Sequence, residues 1–68
     1  MSETTTYTVA GMTCAHCVAS VTEEVSEIPG VEDVQVDLAS GAVAVTSHQP
    51  VSAEAVKAAV ENAGYQIA

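Results

Sequence analysis

Apolar residues along the chain switch between two periods. From Thr4 to Ala10, Tyr7 and Val9 fall on one face and Thr6 and Thr8 on the other, which predicts a half-buried strand ended by Gly11. Val18, Val21, Val25 and Ile28 then recur at helical spacing, and at about 100° per residue they share a narrow stripe. Glu23, Glu24 and Glu27 lie opposite it. The spacing predicts an amphipathic helix, with Thr13 as its cap and Pro29-Gly30 as its stop. Val31 to Leu38 returns to period two, with Val34, Val36 and Leu38 on one face. Ala39-Ser40-Gly41 turns the chain, and Ala42 to Ser47 comes back with Val43 and Val45 inward as the second arm of a hairpin. Pro50 closes that strand. Ser52 is placed to cap a second helix, whose buried stripe is Val56, Ala59, Val60 and Ala63 and whose end is Gly64. Tyr65-Gln66-Ile67-Ala68 reads as a short last strand.

The order is therefore β-α-β-β-α-β, and its halves echo each other weakly at their helix ends. It predicts an α+β, ferredoxin-like fold: a four-stranded antiparallel sheet with both helices on one face. Right-handed crossovers then decide which loops meet. The loop after the first strand shares its end of the molecule with Ser40, Gly41 and Tyr65, whereas His48 lies at the opposite end.

Sixty-eight residues suggest a single domain, 1–68, near the lower limit for folding without covalent or metal staples. The hydrophobic fraction is 49 %, supplied mostly by Val and Ala with no Phe or Trp, so the expected core is thin. No apolar run approaches the roughly 20 residues of a membrane span. The first six residues lack the basic and apolar regions of an export signal, so a cytoplasmic location is expected. Nine acidic residues against Lys57 alone give a formal charge of −8. That balance argues against nucleic acid, whose phosphates are held by Lys and Arg, and against an anionic membrane surface. It favours a partner with a basic patch, besides keeping a small protein soluble.

The chemistry concentrates in Gly11-Met12-Thr13-Cys14-Ala15-His16-Cys17, which holds both cysteines and one of the two histidines. C-x-x-C at the mouth of a helix brings two sulfurs to one side of a single turn. Unpaired N–H groups there favour thiolate, lowering its pKa below the free value of about 8.5. Such a pair can hold a soft ion, close to a disulfide, or sit inert in a core. Soft ligands suit Cu(I) best, whereas a structural Zn(II) site wants four ligands and only two thiolates are on offer.

On those residues the stretch resembles the G-M-T-C-x-x-C signature of heavy-metal-associated domains. Gly30-Val31 after the first helix and Gly64-Tyr65 after the second extend the resemblance over essentially the whole chain. A free-standing domain of this length is similar to CopZ-type bacterial copper chaperones. These are non-enzymatic carriers that pass Cu(I) to the N-terminal metal-binding domains of copper-transporting P-type ATPases. The resemblance implies that Cys14 and Cys17 are the ligands, with copper favoured because zinc- and cadmium-preferring relatives often carry Asp where Thr13 stands. It makes Met12 an inward anchor beside the site. His16 reads as solvated or as a neighbour of the ligands, because helical geometry turns it off the line joining the cysteines. Tyr65 either shields the site and donates its O–H toward a sulfur, or packs as an edge aromatic. Exposed thiolates also imply a copper-bridged homodimer on loading. Two competing readings share the cysteines: a mercury-binding relative of the same fold, and a small thiol-disulfide oxidoreductase.

Overall fold

The computed structural model describes residues 2–68, and its six elements follow the predicted order. They are β1 (Glu3–Ala10), α1 (Ala15–Ser26), β2 (Val31–Asp37), β3 (Ala42–Ser47), α2 (Ala53–Asn62) and β4 (Gln66–Ile67). The strands form one antiparallel sheet in the order β2-β3-β1-β4. β1, which leads into the cysteine loop, is thus flanked by β3 and β4, while β2 and β4 are the edges.

The two apolar periods meet in one thin layer. Val9, Val43 and Val45 from the sheet pack against Val21 and Val25 of α1 and Val56, Ala59 and Val60 of α2. Val21, Val25, Val43, Val56 and Val60 are 0 % exposed. β-Branched valine is a modest helix former, but full burial of each side chain contributes about 1.5 kcal/mol or more, which outweighs the propensity loss. On the other face of β1, Thr4, Thr6 and Thr8 stay exposed, and the Thr4 hydroxyl lies 3.0 Å from that of Thr46 across the ladder.

Several boundaries differ from the sequence reading, each for a local reason. Thr13 does not cap α1. The N-cap is Cys14, in extended conformation, and it makes no side-chain cap bond. Thr13 sits one residue too early for its hydroxyl to reach the free N–H groups. α1 also ends before Pro29-Gly30, with Glu27 as C-cap, because the residue preceding a proline is pushed out of the helical region. Ile28 nonetheless packs against the core from just beyond the helix. β2 stops at Asp37, so Leu38 falls in the turn and is 39 % exposed instead of completing the apolar face of the strand. The last strand is only Gln66–Ile67, and Tyr65 precedes it.

α2 carries the signals expected of it. Ser52 accepts the Ala55 N–H at 3.1 Å. At the other end the Gly64 N–H donates to the Glu61 carbonyl and the Tyr65 N–H to the Val60 carbonyl, with Gly64 at φ +96°. This paired Schellman arrangement reverses the chain and delivers Tyr65 to the end of the sheet where β1 finishes. The β2–β3 turn reaches the same end, since the Val9 N–H donates to the Gly41 carbonyl at 2.8 Å. Gly41 has φ +77°, and a Cβ on it would come within 2.7 Å of the Val9 oxygen, so only glycine fits this close approach. His48 is at the far end: its N–H donates to the Gly30 carbonyl, and its Nδ1 lies 3.5 Å from the Glu32 carboxylate. Among the described residues, no helix is long and apolar enough to cross a membrane.

Candidate metal site

Strand, loop and helix place the two sulfurs in unlike settings. Cys14 is outside the helix at φ −156° and ψ 169°, and its carbonyl accepts the first helical bond, from the Val18 N–H at 3.2 Å. Its side chain is exposed. Cys17 lies in the first turn of α1 and is 9 % exposed, with its backbone fixed by the helix. The sulfurs are 3.3 Å apart, too far for the bond of about 2.05 Å in a disulfide, so both are free thiols. The Thr13 hydroxyl lies 4.0 Å from the Cys17 sulfur, which is where that side chain goes in place of capping.

Cys17 is an acidified thiol, with its pKa lowered to about 6. The Tyr65 hydroxyl is the largest cause, donating toward the sulfur and favouring its anion. The Thr13 backbone N–H and the Cys14 thiol act in the same direction, and partial desolvation opposes them. Reciprocally, the Cys17 thiolate raises the pKa of Tyr65, since ionising the phenol would remove that donor. The helix mouth anticipated as the source of acidity is therefore assisted chiefly by a side chain from the opposite end of the sequence.

Tyr65 is half-buried and its ring packs against the core. The ring also lies over the loop, its Cδ1 3.4 Å from the position a Cβ would take on Gly11. Met12 is half-buried and packs against the core, as an anchor of the loop. His16 is exposed; its carbonyl accepts the Ser20 hydroxyl, and its ring has no hydrogen-bond partner among the described residues. Sequence reasoning missed Thr13 as a neighbour of the sulfur, because its hydroxyl had been assigned to the backbone.

The donor set is narrow. Among the described residues, no group of three or more His, Cys, Asp or Glu side chains could hold an ion together. A tetrahedral Zn(II) site is therefore not assembled among them, and two soft sulfurs suit a soft ion of low coordination number. With a metal–sulfur bond of about 2.3 Å, sulfurs 3.3 Å apart subtend about 90° at the ion, whereas a straight S–metal–S line needs about 4.6 Å. Opening the pair requires one side chain to swing outward. Cys14, exposed and ahead of the helix, is free to do so.

Known proteins resemble this chain in sequence and in fold. The family model described as "Heavy-metal-associated domain" matches residues 6–66. The COP-associated protein of Helicobacter felis is 44 % identical over 59 residues, spanning 87 % of this chain and 89 % of that protein. The copper chaperone CopZ of Bacillus subtilis is 40 % identical over 67 residues, spanning 97 % of each. Copper-transporting ATPase 2 of Homo sapiens is 41 % identical over 64 residues, but the chain spans only 4 % of its length. Among solved structures, a CopZ metallochaperone superposes with a TM-score of 0.91 at 31 % identity, covering 97 % of this chain and all of that one.

Proposed function

The chain belongs to the heavy-metal-associated domain family, and on that premise we propose that it is a cytoplasmic copper chaperone. Cys14 and Cys17 hold one Cu(I) and pass it to the N-terminal metal-binding domain of a copper-transporting P-type ATPase. The observation that carries this reading is the asymmetry of the pair. Two sulfurs stand 3.3 Å apart, one exposed and one fixed in a helix, with no third ligand beside them among the described residues. Such a site binds a soft ion and leaves it open to a further sulfur. Two copper-loaded copies can share their thiolates in the same way, which gives a copper-bridged homodimer.

Release has to be fast despite tight binding. With a picomolar Kd and an association rate near 10⁹ M⁻¹s⁻¹, dissociation would run at about 10⁻³ s⁻¹, or minutes per event. Ligand exchange avoids that delay. An acceptor thiolate adds to Cu(I), giving a three-coordinate bridge; Cys14 detaches first because it is the exposed, mobile ligand, and Cys17 follows. Copper keeps its oxidation state throughout. The chain's charge of −8 draws a basic acceptor face, so the encounter weakens as salt rises.

Stopped-flow transfer to an isolated ATPase metal-binding domain tests the mechanism. A rate that grows with acceptor concentration before saturating is expected, and a slow rate independent of acceptor would overturn the exchange route. Sulfurs this close also put a disulfide within reach, which keeps the oxidoreductase reading in view. An insulin-reduction assay separates the two, since a carrier shows negligible turnover.

A further inference from the structure

The pole opposite the thiols carries a second convergence of donor groups, which the copper site does not use. Three segments distant in sequence supply it: the residue before β1, the start of β2 and the loop after β3. Val31 pairs with Ser47 and Asp33 with Thr46, which leaves Glu32 as the extra residue of a bulge in β2. A bulge breaks the alternation of a strand and re-aims a side chain. Here the Glu32 carboxylate meets His48, whose Nδ1 lies 3.5 Å from Oε1. The other oxygen, Oε2, accepts the Ser2 hydroxyl at 2.9 Å. The backbone of His48 is held independently of these contacts. Its N–H donates to the Gly30 carbonyl at 3.0 Å, and the Gln49 side chain lies over Gly30, where a Cβ would come within 2.5 Å of it.

Folding gains little from this arrangement. The His48 and Glu32 side chains are 57 % and 41 % exposed, and an ion pair so open to water contributes little to stability. At 3.5 Å the pair is also wider than a charge-assisted hydrogen bond of about 2.8 Å. The spacing suits two ligands of one ion. With zinc–nitrogen and zinc–oxygen bonds of about 2.1 Å, atoms 3.5 Å apart subtend about 113° at the metal, close to the tetrahedral angle. The Ser2 hydroxyl fixes the carboxylate by its other oxygen and leaves Oε1 free for the ion. Imidazole nitrogen and carboxylate oxygen are harder donors than sulfur, so they select a divalent ion over Cu(I). The chain's charge of −8 raises the local concentration of such cations.

We propose that Glu32 Oε1 and His48 Nδ1 form an open site for a divalent ion of the Zn(II) class, with Ser2 positioning the carboxylate. Among the described residues no third His, Cys, Asp or Glu side chain joins the pair, so water completes the coordination and binding is weak and reversible. The two poles thereby sort ions by donor softness, sulfur holding the soft ion and the imidazole–carboxylate pair the divalent one. The inference does not rest on the copper reading, since its donors lie outside the cysteine loop.

Titration of Zn(II) into protein whose thiols already hold Cu(I) tests the site, read by NMR and by calorimetry. NMR follows each histidine separately, so the result at His48 does not depend on what the thiols hold. The His48 ring and the Glu32 carboxylate signals should shift and saturate together, while the His16 ring stays unchanged. His48→Gln and Glu32→Gln, both at exposed positions, should each weaken Zn(II) binding at least about tenfold in calorimetry. Glu23→Gln removes the same charge from an exposed position on α1 and should leave the affinity within about twofold. Shifts confined to the cysteine loop and His16, shifts at His48 that never saturate, or wild-type affinity in either site variant would overturn the proposal. So would equal weakening by Glu23→Gln and Glu32→Gln, which would mean that diffuse negative charge alone attracts the ion.

Discussion

Removing a single oxygen at Tyr65 should change the ionisation of a sulfur supplied by the other end of the chain. With its pKa at about 6, Cys17 is about nine-tenths thiolate at pH 7, whereas a free thiol near 8.5 is about 3 % ionised. The Tyr65 hydroxyl is the largest cause of that difference. Tyr65→Phe keeps the ring on the core and over Gly11 and deletes only the donor. The Cys17 midpoint should rise by about one unit or more, cutting the thiolate fraction at pH 7 to about half or below. Thirteen-carbon NMR of Cβ-labelled cysteine resolves Cys17 from Cys14 and reads the midpoint directly.

The same shift has a consequence for stability, and its sign is fixed. Cys17 has a folded pKa below its unfolded one, so the folded state binds the thiol proton less tightly than the unfolded state does. The resulting stabilisation is fully present above the unfolded value of about 8.5 and is lost as pH falls through about 6. Urea unfolding of the metal-free protein should therefore show this contribution growing between about pH 6 and 8.5. In Tyr65→Phe the rise should begin at higher pH and be smaller. An unchanged Cys17 midpoint in that variant, with NMR contacts showing the substituted ring still packed, would refute the assignment of the acidity to the phenol.

Replacing either Cys14 or Cys17 with Ser should abolish tight Cu(I) binding, because a neutral hydroxyl is a hard, weak donor; X-ray absorption of the wild type should show sulfur as the dominant scatterer. Val60→Ala shrinks a side chain that is 0 % exposed and should cost about 2 kcal/mol, lowering the melting temperature by roughly 10 °C in calorimetry. Gly41→Ala imposes a Cβ at φ +77° and 2.7 Å from the Val9 oxygen, so about 1–3 kcal/mol should be lost in urea unfolding. Ser52→Ala deletes the α2 cap and should cost about 1 kcal/mol in the same assay.

What the sequence disclosed, and what it withheld, divides along a physical line. Periodicity reports which faces are buried, so Val21 and Val25, Val56 and Val60, and the inward pair Val43 and Val45 are the core that the structure contains. Element order and crossover hand then suffice to put the cysteine loop, the β2–β3 turn and Tyr65 at one end and His48 at the other. Periodicity says nothing about a residue whose environment is made by a distant segment. Thr13 satisfied every local requirement of a cap, yet the extended backbone of Cys14 takes that place, and the Thr13 hydroxyl turns to the sulfur. Leu38 continued the alternation of β2, but the bonds that the Ala39 and Gly41 N–H groups donate to Asp37 end the strand one residue earlier and leave the side chain outside. The acidity of Cys17 likewise depends on Tyr65, which is brought to the loop by the reversal at Gly64. These positions share one property: the local rule permitted one outcome, and contacts at the ends of the elements selected another. They also gather around the cysteines. A core built almost wholly of valine tolerates little irregularity, so the departures from pattern fall in the loops, where the thiols are.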